Sequence, residues 1–116
     1  MHFAVLLLLL ATTTPRYYGT YRGYMGQFTL EAKDGKPHLD FMVGIPGCTG
    51  SIEGDGKLEK NAFTYTTPVE GQDDPCTLTI TFDGSKAQVA SEHCGYFHGA
   101  MCEFDGDDYE RVKGAK

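Results

Sequence analysis

The sequence predicts an all-β protein: a small antiparallel meander that closes into an eight-stranded, or nearly closed, barrel stapled by disulfides. Apolar and polar residues alternate at period two along most of the chain, and no window shows helical spacing. Most of the glycines stand at the ends of alternating runs, as in a chain of hairpins. A barrel is favoured over a two-sheet sandwich because closure removes the unpaired edges of short strands.

Residues 1–14 are predicted to be a secretory signal peptide outside the folded domain. They carry no Asp, Glu, Lys or Arg, and residues 3–11 form an unbroken apolar run. Such a run is too short to span a bilayer, which takes about 20 residues, but it suits the core of a signal peptide. A single domain is therefore expected over residues 15–112, with residues 113–116 as a tail.

The first half of the domain predicts a hairpin that follows an aromatic opening strand over residues 16–24. Apolar residues alternate on both sides of Asp34 and Gly35, a pair typical of two-residue hairpin turns. A turn at this pair makes one face of the hairpin apolar throughout. The facing residues would be Leu30 with Leu39 and Phe28 with Phe41.

Residues 49–58 are rich in glycine, which predicts bulges or sharp coiling at a corner of the barrel. Lys60 and Asn61 are expected to turn the chain, and residues 66–75 to form an exposed loop.

Residues 76–83 are predicted to be the strongest strand, because their apolar and threonine side chains alternate strictly. Asp83 and Gly84 indicate a second two-residue turn. That turn would pair Leu78 with Val89 and Ile80 with Ala87.

Four cysteines behind a signal sequence predict two disulfides in an oxidising compartment. Three pairings are possible. The predicted hairpin leaves Cys94 out of line with Cys76, so that bond would need a distorted strand end. The favoured pairing is therefore Cys94 with Cys102, which closes a short loop, and Cys48 with Cys76.

The segment between the last two cysteines is predicted to be a rigid contact loop. It holds two glycines, two aromatic residues and a histidine, and an acidic run follows it. The candidate partner-binding residues are Tyr96, Phe97, His98 and Glu103. No spacing matches a standard zinc site, an EF-hand or a nucleophile elbow, so we expect no catalytic residue, metal or cofactor, and no enzyme activity.

The net charge of −6 argues against a nucleic-acid ligand, which would need a basic face. It favours a basic protein as partner. No membrane-spanning segment is expected.

The second half of the chain resembles small secreted or periplasmic bacterial β domains of the lysozyme-inhibitor-associated type. Its most specific part is Cys94-Gly-Tyr-Phe-His-Gly-Ala-Met-Cys102, and residues 48–54 and 76–82 also match. The resemblance implies a periplasmic binding module. The first hypothesis for its function is inhibition of a basic wall-degrading enzyme such as lysozyme.

Two alternatives stay open. One is a barrel that holds a small ligand, and the other is a structural envelope domain without a ligand. The ligand barrel ranks lower because four large residues are predicted to fill the interior. They are Phe28, Phe41, Phe63 and Phe82.

Overall fold

The computed structural model describes residues 16–113, which form nine antiparallel strands in one nearly closed barrel. The predicted all-β class is confirmed. The predicted signal peptide and the last three residues of the tail lie outside the described residues.

The strands form two meanders, one in each half of the chain. They are β1 (Gly19–Arg22), β2 (Gly26–Lys33), β3 (Lys36–Ile45), β4 (Cys48–Asp55), β5 (Lys57–Glu59), β6 (Ala62–Thr67), β7 (Cys76–Asp83), β8 (Lys86–Glu92) and β9 (Gly106–Arg111). Their order in the sheet is β4-β3-β2-β1-β9-β8-β7-β6-β5. Pairing of the first strand with the last joins the two meanders, β1 to β4 and β5 to β9.

A corner at Gly56 nearly closes the barrel. Strands β4 and β5 lie at opposite edges of the sheet, yet only this glycine separates them in sequence. Its N–H donates to the carbonyl of Pro37, and a Cβ here would collide with the Phe63 ring and the Thr64 carbonyl. One kinked run therefore pairs first with β3 and then with β6, which makes the strand count nine rather than eight.

The β2–β3 hairpin has the predicted register, with Phe28 opposite Phe41 and Leu30 opposite Leu39. Both turn residues, Asp34 and Gly35, have positive φ angles of 55° and 79°, as a type I′ turn requires.

The predicted register of the β7–β8 hairpin is wrong by two residues. Asp83 pairs with Lys86, so Gly84 and Ser85 form the turn. Gly84 has a φ of 65°, which suits the first position of a type II′ turn, where glycine is preferred. Ile80 consequently faces Val89, and Phe82 faces Ala87.

Aromatic side chains fill the interior of the barrel. The four phenylalanines predicted to point inward are all buried, at 0–1% exposure. Phe28 stacks on Tyr21 at a centroid distance of 4.8 Å, and Phe41 meets the edge of Phe104 at 5.1 Å. Closely packed side chains therefore occupy the interior of the barrel.

All four cysteines form disulfides, but the favoured pairing is wrong: the bonds are Cys48–Cys102 and Cys76–Cys94. The error follows from the slipped hairpin register. Thr77 lies opposite Glu92, which brings Cys76 next to Cys94 with 4.5 Å between their Cα atoms. The segment between Cys94 and Cys102 is therefore not closed on itself, because each end is bonded to a different strand.

Candidate functional site

The barrel has two unlike ends, which we name the turn end and the loop end. The turn end contains the two-residue turns 34–35, 60–61 and 84–85. The loop end contains the connections 23–25, 46–47, 68–75 and 93–105, together with both disulfides. All four predicted contact residues belong to the connection 93–105.

The middle of this connection is paired with the edge of β4. Gly50 and His98 form an isolated antiparallel bridge, and the Gly99 N–H donates to the Thr49 carbonyl at 3.1 Å. A Cβ at Gly50 would collide with His98, so only glycine allows this approach. Two disulfides and this short β-bridge to β4 therefore hold the loop in place.

Tyr96 and Phe97 lie in a single 3-10 turn, Gly95–Phe97, and have opposite roles. Phe97 is half-buried and packs against the core, whereas the Tyr96 side chain is 71% exposed. The two rings meet edge to face at 5.2 Å. Phe97 therefore anchors the turn and Tyr96 faces solvent.

His98 is half-buried and its ring is fixed on both sides. Nδ1 lies 2.6 Å from the Gly99 carbonyl oxygen, and the ring meets Phe104 edge to face at 5.3 Å. A carbonyl only accepts, so Nδ1 carries the proton and donates it. In the neutral ring, Nε2 is then an acceptor, and the described residues give it no hydrogen-bond partner.

Tyr96, Phe97 and His98 line one wall of an open groove of about 760 Å³, which we call the tyrosine groove. Its opposite wall is the β1–β2 turn, where the Tyr24 side chain is 83% exposed. The outer faces of β2, β3 and β4 form the floor, with Met42 exposed upon it. Residues lining the groove are Arg22 to Gln27, Met42 to Gly44, Thr49 to Ser51, and Tyr96 to His98.

The structure does not bring Glu103 together with the other three predicted residues. Glu103 lines a second depression, of about 440 Å³, which we call the acidic cleft. Asp105 and Asp107 lie beside it, and the threonines Thr79 and Thr81 of β7 also line the cleft. The predicted contact residues are therefore divided between two surfaces, one on each side of the loop.

Asp105, which lines the acidic cleft, and the neighbouring Phe104 are held in fixed positions. The Asp105 carboxylate accepts hydrogen bonds from the Ser91 hydroxyl and from the Ser91 N–H, the latter at 3.2 Å. The buried Tyr109 hydroxyl donates to the Phe104 carbonyl at 3.1 Å. Burial raises the pKa of Tyr109 to about 12, with smaller contributions from the Asp108, Asp105 and Glu103 carboxylates.

Sequence reasoning missed Tyr24 and Met42 as surface residues of the site. Tyr24 was assigned to an aromatic strand, but it lies in the turn between Gly23 and Gly26. The pattern of one large aromatic residue between closely spaced glycines is a turn signal that could have found it. Met42 lies on the solvent-facing side of β3, and nothing in the sequence near it shows that two tyrosines flank it.

Within residues 16–113, no group of three or more His, Cys, Asp or Glu side chains is arranged to hold a metal ion. The same residues contain no helix of the length and apolarity that a membrane crossing needs.

Comparison with known proteins finds no matching family model, no matching curated protein and no matching solved structure. The function is therefore argued from the loop end itself.

Proposed function

We propose that this protein is a non-enzymatic, secreted or periplasmic binding module that docks its loop end onto a basic protein. A wall-degrading enzyme such as lysozyme is the proposed target, which the module would inhibit. The observation that carries the proposal is the double tether of residues 94–102, which present Tyr96 and Met101 at 71% and 75% exposure. A loop held in place before docking loses less conformational entropy on binding.

The charge around the loop favours a basic partner. Residues 92–110 contain six carboxylates and no lysine or arginine. Three of these carboxylates line the acidic cleft next to the loop: Glu103, Asp105 and Asp107. Complementary charge of this kind accelerates the encounter with a basic protein and makes it sensitive to salt.

The two alternatives find less support. A ligand held inside the barrel would need interior space, which the buried phenylalanines occupy. A purely structural domain would gain nothing from large apolar side chains exposed at one end, which are typical of interaction surfaces. Disulfides are compatible with an oxidising compartment, in line with secretion.

The proposal is tested by measuring how micromolar amounts of the protein affect cell-wall hydrolysis by lysozymes of each class at low salt. We expect inhibition that weakens as salt is added. The double variant Glu103→Gln/Asp107→Asn should weaken inhibition by about tenfold, because each charge faces the partner across the cleft. The matched control, Asp34→Asn/Glu59→Gln, removes two charges at the turn end and should inhibit as the unmodified protein does.

Absence of inhibition with every lysozyme class at low salt would contradict the proposal that lysozyme is the target. Equal weakening in the cleft variant and in the control would show that net charge alone drives association, which would contradict docking through the loop end.

A further inference from the structure

We propose that the tyrosine groove is a second binding site, for an oligosaccharide of two or more pyranose rings. The proposal does not rest on a basic protein partner, because the two surfaces differ in chemistry. None of the chain's 16 carboxylates lines the tyrosine groove, whereas three carboxylates line the acidic cleft.

The backbone of both groove walls is held in place. The Gly23 N–H donates to the Gly26 carbonyl at 2.8 Å, and a Cβ at either glycine would collide with Tyr109. This tight turn packs on Tyr109 and leaves Tyr24 pointing away from the core. On the opposite wall, Tyr96 is held by the 3-10 turn that follows Cys94.

The spacing of the walls suits a ligand longer than one sugar ring. In the sheet, β2, β3 and β4 lie side by side between the two walls, and His98 pairs with the far edge of β4. Three inter-strand steps of about 4.8 Å separate the walls by about 15 Å. A chain of pyranose rings can lie along the floor and reach both tyrosines.

The floor offers no open strand edge. Its solvent-facing side chains are Gln27, Met42, Thr49 and Ser51, whereas Gly26 and Gly50 lie on the same side of their strands as the buried Phe28 and Ile52. Where the floor ends at β4, Gly50 and Thr49 already pair with His98 and Gly99. A peptide therefore cannot add here as a further strand, and side chains must supply the recognition.

The polar groups in the groove match the hydroxyl groups of a saccharide. Arg22 donates from Nε to the Gln27 amide oxygen at 2.8 Å, and its two terminal nitrogens carry further N–H donors. Thr49 and Ser51 offer hydroxyls that donate and accept, and His98 Nε2 accepts. Flat tyrosine faces meet the C–H faces of sugar rings while these groups bond the ring hydroxyls.

Other ligand classes fit the groove less well. An apolar ligand would leave the guanidinium, amide and hydroxyl groups desolvated without partners, which is costly. A nucleic acid would need several basic residues along the groove, and Arg22 is the one arginine or lysine that lines it. A single guanidinium is compatible with a neutral saccharide or with one that bears a carboxylate.

The test is a panel of N-acetylglucosamine oligomers, neutral hexose oligomers and hexuronate oligomers, each titrated into the full protein and followed by NMR. We expect at least one class to bind and to shift resonances of groove residues. Tyr24→Ala and Tyr96→Ala should each lower its affinity by about tenfold. Tyr24→Phe and Tyr96→Phe keep the flat ring and should retain most of the affinity. Arg22→Gln should weaken hexuronate oligomers more than neutral ones.

Failure of every oligosaccharide to bind would overturn the proposal, as would binding that survives both alanine substitutions in correctly folded protein. If no oligosaccharide binds and Tyr24→Ala weakens association with lysozyme, the groove belongs to a protein interface instead. The two proposals are tested independently. Inhibition of lysozyme without saccharide binding would support the first proposal and overturn this one, and saccharide binding without inhibition would do the reverse.

Discussion

The turn end and the loop end of the barrel are closed by different means. At the turn end, the strands are joined by pairs of residues, and the backbone ladder continues up to the turn itself. At the loop end, residues 68–75 and 93–105 leave the ladder for long stretches, and two disulfides bind the second of these stretches to β4 and β7. Covalent bonds therefore stand in for the hydrogen bonds that tight turns provide.

This division explains why the exposed apolar side chains gather at one end. Tyr24, Met42, Tyr96 and Met101 are the large hydrophobic residues exposed in the described part of the chain, and all lie at or next to the loop end. Long connections on a rigid scaffold are where binding residues concentrate, since they vary without disturbing the core. The disulfides allow such connections to stay ordered.

The largest expected effect comes from removing the disulfides one at a time. Replacing Cys48 and Cys102 by alanine opens a link over 54 residues, and replacing Cys76 and Cys94 opens one over 18. In the chain-entropy model, the losses in unfolding free energy are about 4 and about 3 kcal/mol. Urea unfolding of both double variants measures them. A larger loss for the shorter link would contradict the chain-entropy account.

The sequence predicted the turn end well because its signals are local. Asp34 and Gly35 can both adopt positive φ, and their position alone sets the register of the first hairpin. The second hairpin failed because Asp83-Gly84 and Gly84-Ser85 both satisfy a two-residue turn, by types I′ and II′ respectively. A shift of two residues preserves which side faces inward, so the alternation of apolar residues could not reveal the error.

The loop end was harder to predict because its contacts join distant parts of the chain. The disulfide pairing depended on the slipped register, so one local error produced a wrong covalent bond. The tyrosine groove depends on the strand order, which places the β1–β2 turn, β3, β4 and the loop in one row. Tyr96, Phe97 and His98 were identified from their own segment, but Tyr24 lies more than seventy positions earlier.

A smaller effect is expected from Gly50→Ala, which would disrupt the β-bridge between Gly50 and His98. The added methyl would collide with His98, and relieving the clash should cost about 2 kcal/mol of unfolding free energy. It should also broaden the NMR resonances of residues 95–99, since the bridge to β4 would loosen.

Gly95→Ala is the matched control for that variant. Gly95 lies in the same loop with a φ outside the positive range, and a Cβ there meets no atom within 4 Å. The unfolding free energy of the Gly95→Ala variant should differ from that of the unmodified protein by less than about 0.5 kcal/mol. Equal losses for the two variants would mean that the loop is sensitive to any substitution. They would contradict a specific stabilising role for the bridge between Gly50 and His98.

The smallest effect concerns a histidine clamp near the turn end, where no disulfide lies. His38 is 8% exposed, and its ring nitrogens lie 2.8 Å from an Asp55 carboxylate oxygen and 3.0 Å from one of Glu53. Both partners are carboxylates, so the protonated ring donates to each and ties β3 to β4 before the corner. The hydrogen bond to Asp55 raises the pKa of His38, and Glu53 adds to it, while burial and Lys33 oppose the rise.

Because the folded state has the higher pKa, the clamp stabilises in full below about pH 6.5, the ordinary value for histidine. That contribution is lost as the pH rises through the raised pKa of the folded state. Since Asp55 and Glu53 are about half exposed, we expect a loss of about 1 kcal/mol. His38→Asn should flatten this pH dependence in urea unfolding between pH 6 and 9. If the unfolding free energy of the variant has the same slope against pH, groups other than His38 titrate on unfolding. The histidine clamp would then contribute nothing measurable beyond the backbone hydrogen bonds of the turn end.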